Sequence, residues 1–377
     1  MQKILVNFLG KKGGTALYAY EMTKGLIENG AEVYAIISKQ NNMLNEWKIL
    51  KLKKLIIIPT YTNKINFILN SIKFFIKDYF QIKKELISLK IDIIYIPCFN
   101  PWFRIINAML PNAKKIITVH DPLPHSGSFF KNKLVFLLQR QALVKADNII
   151  ILTEVFKKHM QFLYNKTSNQ IHVIPHGIFS YYKNIEERKK FFYDEKNINF
   201  LFFGRIEPYK GLHVLSKAYK KISEEYKNIS LTIVGNGDFS EYEYEYKDLK
   251  NIRVINRWIE DNEVNIFFRG KNIITVLPYL DATQSGVINI AMMNHSLVIA
   301  TNTGGIQEQI EDKKTGLLIS PNSEIALAKA MIYAIENRSE CNKIINQADV
   351  LLDRLNWKTL SKKLLNIIDN EIYGGIR

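Results

Sequence analysis

Cysteine, acidic residues and long apolar runs are all scarce in this chain. Of its 377 residues only two are cysteines, Cys98 and Cys341, and they belong to no Cys-x-x-Cys pair. That excludes a disulfide framework or a zinc ribbon and points to a reducing compartment. No apolar run approaches the ~20 residues needed to cross a bilayer. The stretch Ile4–Leu9 is too short for a signal-peptide core and runs into a glycine turn, so it reads as a first strand. A cytosolic protein is expected, or one attached peripherally to the cytosolic face of a membrane. HExxH, GxSxG and GxxxxGK[ST] are absent as well. Asp261-Asn262-Glu263 reads as a helix start with Asp261 in the cap position, not as a metal motif. No metal site is expected.

Lys and Arg number 52 against 36 Asp and Glu, a formal charge of +16. Such a balance suits nucleic acid, an anionic membrane surface or a phosphorylated substrate. A general drift toward Lys, Ile and Asn with solvated lysines would produce it equally well. No RNA- or DNA-binding module is present and the basic residues are dispersed, so nucleic acid is not an expected partner. With 47% hydrophobic and 23% charged residues the composition is that of a globular protein. The length exceeds what one hydrophobic core usually supports, so two domains are expected.

Short apolar runs alternate with longer amphipathic stretches throughout. Strands are expected at Ile4–Leu9, Val33–Ile37, Ile93–Ile96, Ile116–Val119, Ile149–Leu152 and Val173–Ile174. A second series falls at Asn199–Phe203, Ser230–Val234, Ile252–Ile255, Ile273–Leu277 and Leu297–Ala300. Continuous apolar strands separated by helices predict two doubly wound α/β parallel sheets covered on both faces. The charged stretch between about Ile178 and Lys196 has no strand pattern and marks the boundary. The expected domains are 1–180 and 197–356, with a helix over about 357–377 packing back on the first. Two Rossmann-like halves facing each other would bind ligands at the C-terminal ends of their strands.

The motifs fall at those ends. Strand Ile273–Leu277 leads into Pro278-Tyr279-Leu280-Asp281-Ala282-Thr283-Gln284-Ser285-Gly286, then a helix from about Val287 to Asn294. Thr283, Gln284, Ser285, Gly286 and Val287 thus sit at a helix N-terminus, where free N–H groups and the helix dipole favour an anion. Ordinary capping by Thr283 or Ser285 is the alternative. Gly204-Arg205-Ile206-Glu207-Pro208-Tyr209-Lys210-Gly211 also leaves a strand and enters a helix. Arg205 and Lys210 there can neutralise a diphosphate and stabilise it as a leaving group. Gly13-Gly14 gives a first loop that can approach a ligand closely. Gly235, in Ile233-Val-Gly-Asn-Gly-Asp238, begins a G-x-G turn without the full dinucleotide pattern and fits a turn near a nucleobase or ribose. His120-Asp121-Pro122-Leu123-Pro124-His125 follows another strand. His120 can donate to a sugar hydroxyl or a phosphate, or pair with Asp121 as a base. His125 reads as loop structure and His176, in Pro175-His176-Gly177, as structural.

Taken together, these segments resemble the GT-B glycosyltransferases of the family 4 type. The resemblance covers nearly the whole chain and rests on seven motifs in order. These are Gly13-Gly14, His120-Asp121-Pro122, Ile174–Gly177, Phe203–Gly211, Ile233–Gly237, Pro278–Met292 and Thr303–Glu308. Trp357 also resembles part of the family's C-terminal helices. The resemblance implies a nucleotide-diphosphate sugar held mainly by the second domain and an acceptor held by the first, with no separate cofactor. It implies that Arg205 and Lys210 bind the diphosphate, that Gly13 or Gly14 helps close over phosphate and acceptor, and that His120 contacts the donor sugar. It further implies retention of anomeric configuration, the departing phosphate helping to deprotonate the acceptor without a protein nucleophile or a metal. One departure stands out. With Gly286 aligned to the family's glycine, Thr283 and Ala291 replace the two glutamates of the usual E-x7-E block. Gln284, Asp281 or Asn289 could take over some of the polar contacts.

Basic and aromatic residues crowd the segment Lys64–Lys90 and recur at Phe129-Phe130-Lys131-Asn132-Lys133. Such a face suits an anionic membrane and a lipid-linked acceptor, or a core-packed helix with solvated lysines. The leading expectation is a glycosyltransferase that builds a surface polysaccharide or glycolipid. A catalytically silent, nucleotide-sugar-binding partner subunit is the alternative, motivated by Thr283 and Ala291.

Overall fold

The alternation of buried apolar runs and amphipathic stretches becomes two parallel sheets. The computed structural model describes residues 2–61, 64–123, 133–183, 191–270 and 272–374. His125, the stretch 129–132 and residues 184–190 of the expected boundary segment lie outside them. Contacts divide the chain into two units. The first is Met1–Pro122, Gly127–Gly177 and Asn356–Arg377, and the second is Leu123–Ser126 and Ile178–Leu355.

In the first unit the strands are β1 (Lys3–Phe8), β2 (Glu32–Ser38), β3 (Lys54–Ile58), β4 (Ile93–Ile96), β5 (Lys114–Val119), β6 (Asn148–Ile151) and β7 (Ile171–Val173). They pair in parallel in the order β3-β2-β1-β4-β5-β6-β7. In the second unit they are β8 (Ile198–Phe203), β9 (Ile229–Gly235), β10 (Ile252–Asn256), β11 (Ile273–Leu277), β12 (Leu297–Thr301) and β13 (Leu317–Ile319). Their order is β10-β9-β8-β11-β12-β13, again parallel. Strand order reverses direction at β1/β4 in one sheet and at β8/β11 in the other. Those switch points open a crevice beyond the carboxyl ends of the strands, where doubly wound sheets bind ligands.

Two strands escape the sequence reading. β3 is an edge strand that opens on exposed Lys54, just after Lys51 and Lys53, and β13 is three residues long. β7 begins earlier than expected because His172 interrupts its apolar run without breaking the pairing to β6. Asp261 is not a helix cap. Glu260 holds that position before a short 3₁₀ turn, Asp261 accepts from Tyr182 Oη at 3.5 Å, and buried Glu263 pairs with Arg257 at 2.7 and 3.0 Å.

The C-terminal helix Trp357–Tyr373 packs on the first helix, Gly14–Glu28. Asn29 Nδ2 donates to the Lys358 carbonyl at 2.7 Å and to Ser361 Oγ at 2.9 Å. The helices approach so closely at Gly25 that a Cβ there would lie 2.6 Å from both the Trp357 carbonyl and Ser361 Oγ. Gly25→Val is therefore expected to cost about 1–3 kcal/mol through overpacking and to lower the thermal midpoint of the first unit. An unchanged midpoint would mean that the two helices separate without penalty.

Candidate functional site

Each unit carries its motif residues at the carboxyl ends of its own strands. In the second unit, Gly204 and Arg205 follow β8, and Pro208 opens a single 3₁₀ turn that ends at Lys210. Gly211 follows with φ 71°, and a Cβ on it would meet the Pro278 carbonyl at 2.0 Å. Gly235 closes β9 with φ 154°, where a Cβ would fall 1.7 Å from the Gly204 carbonyl. Only glycine allows these approaches, so the loops after β8, β9 and β11 are in mutual contact. Leu280 N–H donates to the Tyr209 carbonyl at 2.8 Å and fixes the same junction.

Tyr279, which the sequence reading passed over, joins the two segments expected to hold an anion. Its fully buried ring receives the Lys210 ammonium over its face at 3.6 Å. Its hydroxyl lies 3.4 Å from Ser285 Oγ, and burial pushes its pKa up to about 12, with the Ser285 contact opposing. The Thr301 hydroxyl donates to the Tyr279 carbonyl at 2.6 Å. Arg205 is exposed on the same loop as Lys210, which is half-buried.

The helix Gly286–Met293 starts where the sequence places it, with Ser285 at the cap position. Ser285 makes no side-chain cap. Instead Gln309 clamps its backbone: Ser285 N–H donates to Gln309 Oε1 at 2.7 Å, and Gln309 Nε2 donates to the Ser285 carbonyl at 3.1 Å. The Ser285 amide is thus already engaged, which narrows the expected anion donors to the first-turn amides of Gly286 and Val287. Thr283 is buried, and Gln284 buries its Oε1 without a partner among the described residues. Ala291 and Asn289 are buried inside the helix.

In the first unit Gly13 adopts φ 85° and accepts from the amides of Ala16 and Leu17, starting the helix that Gly14 opens. His120 follows β5 and its Nε2 donates to the Pro97 carbonyl, beyond β4, at 2.9 Å. Burial lowers its pKa, the Pro97 carbonyl and Asp121 opposing. The neutral ring therefore carries its proton on Nε2 and presents Nδ1 as an acceptor. Of the two expected roles, donor or base, this tautomer leaves Nδ1 with the lone pair that the second requires. The buried Tyr18 ring meets His120 edge-on at 4.6 Å and Trp357 at 5.2 Å. Its hydroxyl joins Tyr95 Oη at 3.3 Å and Thr118 Oγ1 at 3.5 Å. Asn7 on β1 and Asn100 beyond β4 bury both polar side-chain atoms with no partner among the described residues. Among the described residues no group of three or more His, Cys, Asp or Glu is arranged to hold a metal, and no helix is long and apolar enough to cross a membrane.

Comparison with known proteins decides the family. The model described as Glycosyl transferases group 1 matches residues 183–350, and that described as Glycosyltransferase Family 4 matches residues 12–179. The chain belongs to the GT-B glycosyltransferases of the family 4 type. Its relatives include the putative glycosyltransferase YtcC of Bacillus subtilis, 24% identical over 316 residues, covering 76% of this chain and 74% of that protein. An uncharacterized glycosyltransferase of Methanocaldococcus jannaschii is 20% identical over 383 residues and 94% of each chain. The fold matches Anabaena HepE, solved in complex with UDP-glucose, with a TM-score of 0.71 and 15% identity over 98% of this chain and 100% of that one. This glycosyltransferase is therefore an α/β protein of the GT-B fold.

His176 provides a pH test of the first unit. Burial pushes its pKa down to about 4, with nearby His120 adding to the shift and the Gly177 carbonyl, 2.8 Å from Nδ1, opposing it. Between pH 6.5 and 4 the unfolded state holds the extra proton, so stability falls as pH drops through that window and is level above it. The expected loss is about 3 kcal/mol. Denaturation midpoints measured from pH 7 to pH 4 should fall less steeply for His176→Asn than for the wild type, and equal slopes would contradict this.

Proposed function

We propose that this glycosyltransferase moves a sugar from a nucleotide-diphosphate donor to a glycan or lipid-linked acceptor, with retention of configuration and without a metal. The observation that carries the reading is the junction in the second unit. Lys210 and Arg205 share one loop there, and the open amides of Gly286 and Val287 begin the segment that Tyr279 ties to Lys210. Two cations and a helix N-terminus suit a diphosphate in both its bound and its departing state. The UDP-glucose held by the HepE structure supports that donor class.

In the proposed reaction the bond between the anomeric carbon and the diphosphate oxygen breaks, and the acceptor oxygen bonds to the same face of that carbon. The acceptor proton passes to the departing phosphate oxygen, so no protein group needs to become a nucleophile. Arg205 and Lys210 act where negative charge grows, and Nδ1 of His120 accepts from a sugar hydroxyl. Thr283 and Ala291 leave no carboxylate at the two usual positions, so hydroxyl recognition falls to neutral groups such as Gln284. Surface polysaccharide or glycolipid synthesis on the cytosolic side of a membrane fits these components. The same loss of carboxylates favours the second reading, a nucleotide-sugar-binding subunit without turnover.

Arg205→Ala and Lys210→Ala should each lower kcat by about 10²–10³ while leaving the circular dichroism spectrum unchanged. EDTA should leave the wild-type rate intact, and NMR of the product should show the donor's anomeric configuration. Wild-type rates in both variants would remove the assigned site, and an inverted product would remove the mechanism. Nucleotide-sugar binding without transfer to any acceptor would establish the second reading.

A further inference from the structure

The segment Lys64–Leu89 carries two apolar faces, and only one of them is used. Helices Lys64–Lys73 and Tyr79–Leu89 run on through a π-helical turn at Phe74–Asp78. One face anchors the segment to the first unit. Phe74, Ile82 and Leu86 are buried, Phe74 stacks on Trp102 at 5.3 Å, and Trp102 Nε1 donates to Ser71 Oγ at 3.0 Å.

The other face is uncovered. Ile68, Ile72, Ile76 and Phe80 follow one another at steps of four, with Ile76 78% and Phe80 72% exposed and the other two more than half exposed. In a regular α-helix each step of four drifts about 40° around the axis. The wider π turn offsets that drift where it matters, between Ile72 and Phe80. Ile87 extends the exposed apolar surface by two further turns. Exposed Lys73, Lys77 and Lys84 lie along the same segment, and exposed Lys90 directly follows it. Of its two acidic residues, Glu85 is paired with Lys54, leaving Asp78 to oppose them.

We infer that this face docks on an anionic lipid bilayer, the apolar stripe entering the interface while the lysines meet the headgroups. Apolar contact alone would equally suit a second copy of the chain. A symmetric pairing through this face, however, would bring lysine against lysine, which opposes association. A negatively charged, laterally extended surface satisfies both the stripe and its cations. The inference stands on this face alone and does not depend on the proposed transfer reaction.

Co-sedimentation of the full chain tests it, using vesicles of phosphatidylcholine alone and of phosphatidylcholine with about 30% phosphatidylglycerol, at near-physiological salt. The chain should partition to the mixed vesicles and not to the neutral ones. Lys73→Ala/Lys77→Ala/Lys84→Ala should weaken partition by about fivefold per lysine. Ile76→Asp/Phe80→Asp, which changes only exposed side chains, should weaken it at least about tenfold. Failure of the wild type to partition, or equal partition by all three proteins, would overturn the inference. So would a wild-type dimer in lipid-free solution that Ile76→Asp/Phe80→Asp converts to monomer, because a second copy would then occupy the face.

Discussion

Everything at the candidate donor site depends on loops that lie closer together than side chains permit. The carbonyl of Gly204 fills the space where a Cβ on Gly235 would be, and the carbonyl of Pro278 does the same to Gly211. Through these contacts the turns after β8, β9 and β11 become one surface. Lys210 reaches the face of Tyr279, and the helix Gly286–Met293 begins beside it. Positive φ at the glycines supplies geometry that a bulkier residue could adopt only under strain.

The architecture was legible because parallel strands buried on both faces read as unbroken apolar runs. Ile93–Ile96 and Ile273–Leu277 appear in the structure with the bounds read from sequence. β3 was not legible, because lysines lead into an edge strand that is only partly buried. Glycines and cations at strand ends located the candidate site, since loop chemistry is written locally. Its supporting contacts were not written locally. Gln309 lies 24 residues from the Ser285 backbone that it clamps, and Pro97 lies 23 residues from the His120 ring whose proton it fixes. Sequence spacing carries no signal for either pairing, so the occupied Ser285 amide and the His120 tautomer emerged only from the fold.

The missing glutamates acquire a physical meaning in this setting. Thr283 and Ala291 carry no carboxylate, and both side chains are buried. The region instead holds neutral polar groups: the buried Gln284 Oε1, the Gln309 amide that holds Ser285, and the Tyr279 hydroxyl. With the cations of Arg205 and Lys210 nearby in sequence and fold, the surroundings favour the anionic part of a ligand over a network of acidic contacts to its sugar.

The most direct test of the account is calorimetric titration of UDP, GDP, ADP and dTDP, in EDTA, into the full chain and into Gly211→Ala. Circular dichroism and thermal midpoint would report whether the variant stays folded. The account predicts specific binding of one nucleoside diphosphate by the wild type. It also predicts a loss of at least about tenfold in the folded variant, because the displaced Pro278 loop no longer sets Tyr279 under Lys210. Binding of none of the four by the wild type, or undiminished binding by Gly211→Ala, would contradict the claim that this glycine-closed junction is the diphosphate site.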